Sequence, residues 1–376
     1  MKSNISEISY SIRSSLRAPY LTARSFLLRP LVVLRKTGIP REGEIKEILF
    51  LRHDRIGDMV LSTGIFRGLK KRYPGARLTV LASGKNYEII RNNPYVDETA
   101  IFDGTRDFIS RFRRRNIDLV IDPFYTYELR QSFLTYISGA RYRIGFEESG
   151  REMFFNMRGP KLLPASHMAG NIFRLVSFLG VNADEYEPQI YLSNDETGWA
   201  KSIFADRGLT GDFLKAAIAP GAYYPSQQWG ADKYEELAGR LVKKSGVKII
   251  LFGEKSEETL LRKIQSKAGR KDAEVFCGVT LRQFMALLAQ CNLLVCNNSG
   301  ALHIACALKI PTVSSMGPTD PVLWWPRGKG HIVLREKLAC SPCYKARCVR
   351  HDCMSRILVE DVMAAAELQI ERHKNG

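Results

Sequence analysis

The stretch LLVCNNSGALHIACALKIPTVSSMGPTD, Leu293–Asp320, decides how the rest of the chain is read. Leu293–Cys296 is an apolar run long enough for a strand and too short for a helix. Asn297-Asn298-Ser299-Gly300 follows as a polar turn, and Ala301–Leu308 is a largely apolar helix. Thr312–Ser315 is a second short strand, closed by the turn Gly317-Pro318-Thr319. Strand, helix and strand at this spacing form a βαβ unit with a parallel pair. In open parallel sheets ligands bind outside the carboxyl ends of the strands, where both turns sit. The first turn also opens a helix, whose unpaired N–H groups and dipole favour an anion. The stretch predicts a site for a phosphate-bearing ligand.

The same alternation surrounds it. Upstream, Ala216–Ala219 is a strand ending in Pro220-Gly221-Ala222, with a helix from about Lys233 to Lys244. Val247–Phe252 is a strand ending at Gly253, Glu257–Lys267 a helix, Val275–Cys277 a strand and Leu281–Ala289 a helix. Nearer the start, Ile48–Leu51 is a buried strand, followed by the turn Asp54-Arg55-Ile56-Gly57-Asp58 and a helix over Met59–Arg72 that Pro74-Gly75 stops. Leu78–Ala82, Thr99–Phe102, Leu119–Ile121 and Arg143–Gly145 read as strands, Tyr87–Asn92, Asp107–Arg115 and Met168–Leu179 as helices, and Glu185–Asp195 as a linker. Strands alternating with helices predict an α/β fold of two doubly wound Rossmann-like halves facing a cleft. A last helix, roughly Ser355–Arg372, is expected to return to the first half.

Length and charge fit this division. A chain of 376 residues holds about two domains, and its 45% hydrophobic content is ordinary for a globular protein. The formal net charge of +17 points to an anionic partner: a membrane surface, a phosphorylated substrate or a nucleic acid. A generically basic soluble protein is the plain alternative. Nucleic acid is not expected, because no nucleic-acid-binding motif accompanies the charge. Arg111, Arg113, Arg114 and Arg115 form a basic run that reads either as a solvated face or as a surface for an anionic lipid.

Residues 1–44 are a distinct basic extension: Lys2, Arg13, Arg17, Arg24, Arg29, Arg35, Lys36 and Arg41, interspersed with Ile12, Leu16, Tyr20, Phe26, Leu27, Leu31 and Leu34. Two readings stand: an amphipathic segment on anionic lipid, or an extension packed on the first half. No apolar run approaches the roughly 20 residues that span a bilayer, and no signal peptide is evident. The expected location is cytoplasmic, peripheral on the inner face of the cytoplasmic membrane.

Cys277, Cys291, Cys296 and Cys306 lie in apolar segments and read as buried thiols. Cys340, Cys343, Cys348 and Cys353 cluster near the end. They allow a structural Zn or Fe site, disulfides, which a reducing cytoplasm disfavours, or unbridged thiols.

Two stretches together resemble the family-nine glycosyltransferases, the lipopolysaccharide heptosyltransferases: ILFLRHDRIGDMVLSTGIFRGLKKRYPGARLTVLAS (Ile48–Ser83) and NNSGALHIACALKIPTVSSMGPTDP (Asn297–Pro321). PGAYYPSQQWGADKYEELAGRL (Pro220–Leu241) is similar to that family's phosphate-loop segment. The resemblance implies a GT-B fold, with 45–190 as the acceptor-side domain, 191–354 as the nucleotide-sugar domain and 355–376 as the returning helix. It implies inverting transfer of heptose from ADP-heptose to an anionic glycolipid acceptor, with no cofactor or metal needed for the chemistry. Asp58, beside Gly57, matches the proposed base; as a residue near a helix start it also reads as an N-cap. His53 and Asp54 are neighbouring candidates. The backbones of Ser299, Gly300, Gly221 and Ala222 suit a leaving diphosphate. His303 falls on the family's ligand-contacting position, or is a satisfied helix histidine. Glu257 is the best match for a ribose contact, with Glu254 and Glu258 as rivals.

Two residues depart from the pattern. Gln227 stands where the phosphate loop usually has a Lys, and Asn298 where the helix-opening motif usually has an Asp. Lys233, Lys255 and Arg327 are candidates to restore the lost cation. The departures support a second reading, a GT-B protein that takes an altered donor or binds without catalysis.

Overall fold

The computed structural model describes residues 19–24, 26–27, 38–126, 128–148, 150–157, 159–182 and 186–375. The first sheet contains β1 (Glu47–Leu51), β2 (Arg77–Ala82), β3 (Glu98–Ile101), β4 (Leu119–Asp122) and β5 (Tyr142–Gly145) in the order β3-β2-β1-β4-β5. The second contains β6 (Lys215–Ala219), β7 (Lys248–Gly253), β8 (Ala273–Cys277), β9 (Leu293–Asn297), β10 (Thr312–Ser315) and β11 (His331–Leu334) in the order β11-β10-β9-β6-β7-β8. Every strand pair in both sheets is parallel.

Near-continuous apolar strands are what a parallel sheet covered on both faces requires. Side chains alternate accordingly. Ile48 and Phe50 enter one core while Leu49 and Leu51 enter another. In the second sheet Ala217, Ala219, Leu294 and Cys296 share the first of these cores, and Ala216, Ile218, Leu293 and Val295 face a third. One apolar core therefore runs continuously from sheet to sheet, and each sheet keeps its own outer layer.

The strand order reverses beside β1 and β4 in the first sheet and beside β6 and β9 in the second. Crevices outside the strand ends at such reversals are where doubly wound folds bind ligands. The segments leaving these four strands carry Arg52–Asp58, Pro123–Thr126, Pro220–Tyr224 and Asn298–Gly300.

Several elements differ from the sequence expectation. The helix expected over Met59–Arg72 is two helices, Ile56–Thr63 and Phe66–Arg72. The break falls at Gly64, which packs directly on the backbone of Tyr186 and Glu187, leaving no room for a side chain. Tyr87–Asn92 keeps one 3-10 turn, Tyr87–Ile89. Helices Leu129–Ile137 and Asn194–Asp206 and strand β11 were not expected. The last helix, Val359–Asn375, does not return to the first sheet as expected. Val362, Ala366 and Ile370 bury into the outer core of the second sheet instead. Residues 19–24 and 26–27 are helical, with Tyr20, Phe26 and Leu27 exposed. Apart from these and Arg24, the positions named in that extension up to Lys36 lie outside the described residues. Among the described residues no helix is long and apolar enough to cross a membrane.

Candidate functional site

The first wall forms where β1 and β4 end. Arg52, wholly buried, donates from Nε to Ser62 Oγ at 3.0 Å, from Nη1 to Asp54 Oδ2 at 3.0 Å and from Nη2 to the Pro123 carbonyl at 3.2 Å. One guanidinium thus ties the β1 loop to the β4 loop. The β4 loop is held again by Arg151, also buried, which pairs with both carboxylate oxygens of Asp122 and donates to the Phe124 carbonyl.

Asp58 is the third residue of helix Ile56–Thr63, and Arg55 is the N-cap, so the capping reading of Asp58 gives way. Its side chain is 3% exposed, its Oδ1 has no hydrogen-bond partner, and Arg52 Nη1 lies 3.9 Å away. Burial pushes its pKa up to about 7, Asp54 adds to the rise, and Arg52 and Arg55 oppose it. Asp54 is committed to Arg52. His53 sits between Phe102 and Phe124, at 4.3 and 5.1 Å between ring centroids, and burial lowers its pKa. Tyr125, which the sequence reading did not single out, leaves β4 to pack on Trp324 at 5.6 Å; burial and the Asp58 and Asp54 carboxylates raise its pKa.

The second wall forms where β6 and β9 end. Asn297, the last residue of β9, is wholly buried and uses its whole amide. Its Oδ1 accepts from Trp229 N at 3.0 Å and Tyr234 Oη at 3.1 Å, and its Nδ2 donates to the carbonyls of Pro220 at 2.6 Å and Gly221 at 3.3 Å. That amide fixes the turn Pro220-Gly221-Ala222, a role absent from the sequence reading. Glu257 lies against the turn: a Cβ on Gly221 would be 2.5 Å from its Oε1, while its Oε2 accepts from Glu254 N at 2.8 Å. Gln227 accepts from Tyr224 N at 3.2 Å and donates to Thr319 Oγ1 at 3.4 Å, joining this turn to Gly317–Thr319. Asn298 is buried and its N–H donates to the Ser315 carbonyl at 3.1 Å. Ser299 is the N-cap of helix Gly300–Ala307, yet its hydroxyl makes no capping bond. The first-turn N–H groups of that helix are thus not taken up by the cap side chain.

The walls interlock. A Cβ on Gly57 would fall 2.9 Å from His303 Cδ2, and one on Gly300 would fall 3.1 Å from Ile56 Cγ2. Each helix start therefore uses a glycine to admit a side chain from the opposite helix. His303 is buried with Nδ1 unpartnered, and burial followed by nearby His167 pushes its pKa down to about 3. Both causes favour the neutral ring. His167 accepts from Ala169 N at 3.1 Å and bonds through Nε2 to the Trp325 carbonyl at 2.8 Å, a further link across the cleft. Arg55 makes another, with its guanidinium 4.9 Å from the Tyr223 ring and 5.8 Å from the Tyr224 ring.

Two of the three cations expected to compensate for Gln227 are engaged elsewhere, while the buried Arg327 Nε has no hydrogen-bond partner. Lys233 donates to the carbonyls of Ser355 and Ile357, Lys255 pairs with Glu258, and Arg327 lies over the Tyr186 ring. Of the basic run, Arg111 pairs with Asp107 and Arg115 with Glu98 and Glu47.

All eight cysteines are free thiols, so the disulfide reading is not met, and Cys277 is only half-buried. The structure places Cys353 near Cys340, Cys343 and Cys348, but among the described residues no three His, Cys, Asp or Glu side chains are arranged to hold a metal ion. The cysteine loop has a visible mechanical role. The N–H groups of Cys343 and Tyr344 both donate to the Pro318 carbonyl at 3.0 Å, Ser341 Oγ donates to the Gly317 carbonyl at 2.6 Å, and His351 Nε2 bonds to the Ser226 carbonyl at 2.9 Å.

The family model described as glycosyltransferase family 9 (heptosyltransferase) matches residues 105–353. The lipooligosaccharide heptosyltransferase 2 of Haemophilus ducreyi is 26% identical over 313 residues, covering 77% of this chain and 88% of its own. The structure of the E. coli ADP-heptose LPS heptosyltransferase II superposes with a TM-score of 0.72 at 22% identity, over 87% of this chain and 99% of its own. A family 9 glycosyltransferase from Veillonella parvula superposes with a TM-score of 0.75 at 22% identity, over 87% of this chain and 98% of its own. The fold is the α/β GT-B fold.

Proposed function

The chain belongs to glycosyltransferase family 9, and from that premise we propose that it moves heptose from ADP-heptose to a lipopolysaccharide-type glycolipid, with inversion at the anomeric carbon. The observation that carries the reading is Asp58, a buried carboxylate with an oxygen that makes no hydrogen bond and a pKa near neutrality, beside the Gly57–His303 contact. Such a group suits a general base.

In this reading the acceptor hydroxyl gives its proton to Asp58 as its oxygen bonds to the anomeric carbon, opposite the diphosphate. The bond from that carbon to the β-phosphate oxygen breaks, and its electron pair stays on the phosphate. Backbone N–H groups of the Gly300 helix and of Gly221-Ala222 meet the charge that develops. Glu257 takes the ribose hydroxyls. His303, neutral, contributes a hydrogen bond without charge, and Gln227, Asn298 and Ser299 line the donor side. The chemistry assigned to these groups is metal-independent. The cysteine loop has a structural part, supporting the two donor-side turns. The acceptor is a lipid, so the enzyme would work as a peripheral protein on the inner face of the cytoplasmic membrane. Gln227 and Asn298, neutral where the family pattern is charged, favour one second reading: a different nucleotide sugar in the same site.

A donor screen tests both. ADP-heptose and UDP-, GDP- and CDP-sugars are offered with an inner-core glycolipid, and the product mass identifies the sugar moved. Transfer of heptose from ADP-heptose is the expected result; transfer only from another donor selects the second reading, and no transfer from any overturns both.

A further inference from the structure

A departing diphosphate gains negative charge and calls for a fixed cation as well as N–H donors. The turns that follow β6 and β9 have none of their own: residues 216–232 and 293–308 contain no Lys or Arg. Lys233 and Lys255 have other partners, and Arg327 lies over the Tyr186 ring rather than over the tyrosines that follow the Gly221-Ala222 turn. Arg52 is buried in its own network.

Arg55 is placed differently. It is exposed, it is the N-cap of helix Ile56–Thr63, and it stands three residues before Asp58. Its guanidinium reaches across the cleft to Tyr223 and Tyr224, which directly follow the Gly221-Ala222 turn, with Nη2 3.4 Å from Tyr224 Oη. Aromatic faces hold a guanidinium by cation–π attraction and leave its edge N–H groups free for anions. Gln227 holds this platform, because its Oε1 accepts from the Tyr224 N–H. The neutral amide does not supply charge; it positions the tyrosine on which the charge rests.

We propose that Arg55 is the cation for the donor diphosphate, supplied from the opposite wall. The proposal rests on the transferase reading above. As the bond from the anomeric carbon to the β-phosphate oxygen breaks, the electron pair left on that oxygen faces the Arg55 N–H groups, while the acceptor proton goes to Asp58. Arginine suits the task because its planar fork donates two parallel hydrogen bonds to a phosphate. The N–H donors and the cation then come from different sheets, and the leaving group is fully neutralised only when the two walls are together.

The test uses the full-length protein with Arg55→Gln, and with Arg55→Gln combined with Gln227→Lys. Calorimetry with ADP and with AMP is read beside steady-state transfer. In Arg55→Gln the transfer rate should fall on the order of 100-fold, as for loss of one charge-stabilising donor. Its ADP affinity should fall about tenfold, one charge-assisted contact, with AMP affinity little changed. Gln227→Lys should restore a large part of both losses by returning a cation to the same turn. Wild-type transfer and ADP affinity in Arg55→Gln would overturn the proposal, as would equal losses for ADP and AMP. A wild-type protein that transfers nothing and binds neither nucleotide would instead overturn the transferase reading beneath it.

Discussion

The imidazole of His303 occupies the space that a side chain on Gly57 would need, with Cδ2 2.9 Å from the ideal Cβ position. This contact joins the first turns of two helices from different sheets and lies beside Asp58. Gly57→Ala should push the helices apart at a cost of about 1–3 kcal/mol, the usual range for overpacking. Transfer should fall with it. His303→Ala alone should also impair the site, yet Gly57→Ala should cost less stability in the His303→Ala background than in the wild type. A double-mutant cycle on thermal unfolding measures that coupling; additive losses would mean that the two residues do not press on each other.

Asp58→Asn should lower transfer by about 10²–10⁴-fold, the range for a positioned acid–base group, while ADP still binds. With the wild-type carboxyl titrating near 7, activity should rise with pH through that value as the base form appears. The stability effect has the opposite sign. The folded-state pKa lies above the ordinary carboxyl value of 3.8, so the folded protein binds the extra proton between these limits and loses stability as pH rises through them. Asp58→Asn should therefore melt higher than the wild type at pH 8, and a lower melting temperature would refute the buried-charge account.

Arg282 and Glu196 form an ion pair that joins the two halves of the chain. Arg282 donates to the Glu88 carbonyl at 3.0 Å and the Tyr191 carbonyl at 2.8 Å, and Glu196 accepts from Asn92 Nδ2 at 2.9 Å. The Arg282 hydrogen bonds, outweighing burial and joined by the Ser193 N–H, hold the Glu196 pKa at about 2. A depressed carboxylate stabilises the fold above its unfolded value and loses that contribution as pH falls toward its folded value. The pair should matter fully at pH 6 and fade between about 4.5 and 2. Arg282→Met should cost about 1–3 kcal/mol, as for a part-buried charge that loses its hydrogen bonds, read by denaturant unfolding at pH 6; a loss that persists undiminished at pH 2 would count against the pair.

Asn297→Asp should release the Gly221 turn, because a carboxylate cannot donate to the Pro220 and Gly221 carbonyls. The expected cost is about 1–3 kcal/mol for buried carbonyls left unpaired, with weaker ADP binding in calorimetry. Unchanged ADP affinity would show that the turn is held by other means.

The four clustered thiols should react in a set order with a disulfide reagent. Cys340 and Cys348 are exposed and react first. Cys353 is buried, and burial followed by its three neighbouring thiols raises its pKa to about 11, so it reacts last. Protection of all four that a chelator removes would instead return the metal reading.

How much of this was legible in the sequence follows from what each signal depends on. The parallel strands were legible because apolar runs such as Ile48–Leu51 and Leu293–Cys296 are the local requirement for covering a sheet on both faces. Helix Asn194–Asp206 was lost because its polar stretch carries a weak apolar face, with only Ala200 and Phe204 buried. Strand β11 was lost because it is a short, half-buried edge with no alternation of buried and exposed residues, although Gly328-Lys329-Gly330 marks a turn before it. Gly57 and His303 could each be named from a local motif, but not their contact, which depends on how two helices far apart in the chain approach. Asn297 was hidden for a related reason: a polar residue ending a strand looks like the start of the turn, and only the folded chain brings the Pro220 carbonyl to it.

The cysteine loop touches the 225–227 turn through His351 and the 317–319 turn through Ser341, Cys343 and Tyr344. It is a handle on the outside of the molecule whose far end is the edge of the cleft. A bulky label on exposed Cys348 would thus inhibit at a distance, leaving the cleft empty while loosening two of its edges, and could serve as an off-switch that never competes with the nucleotide.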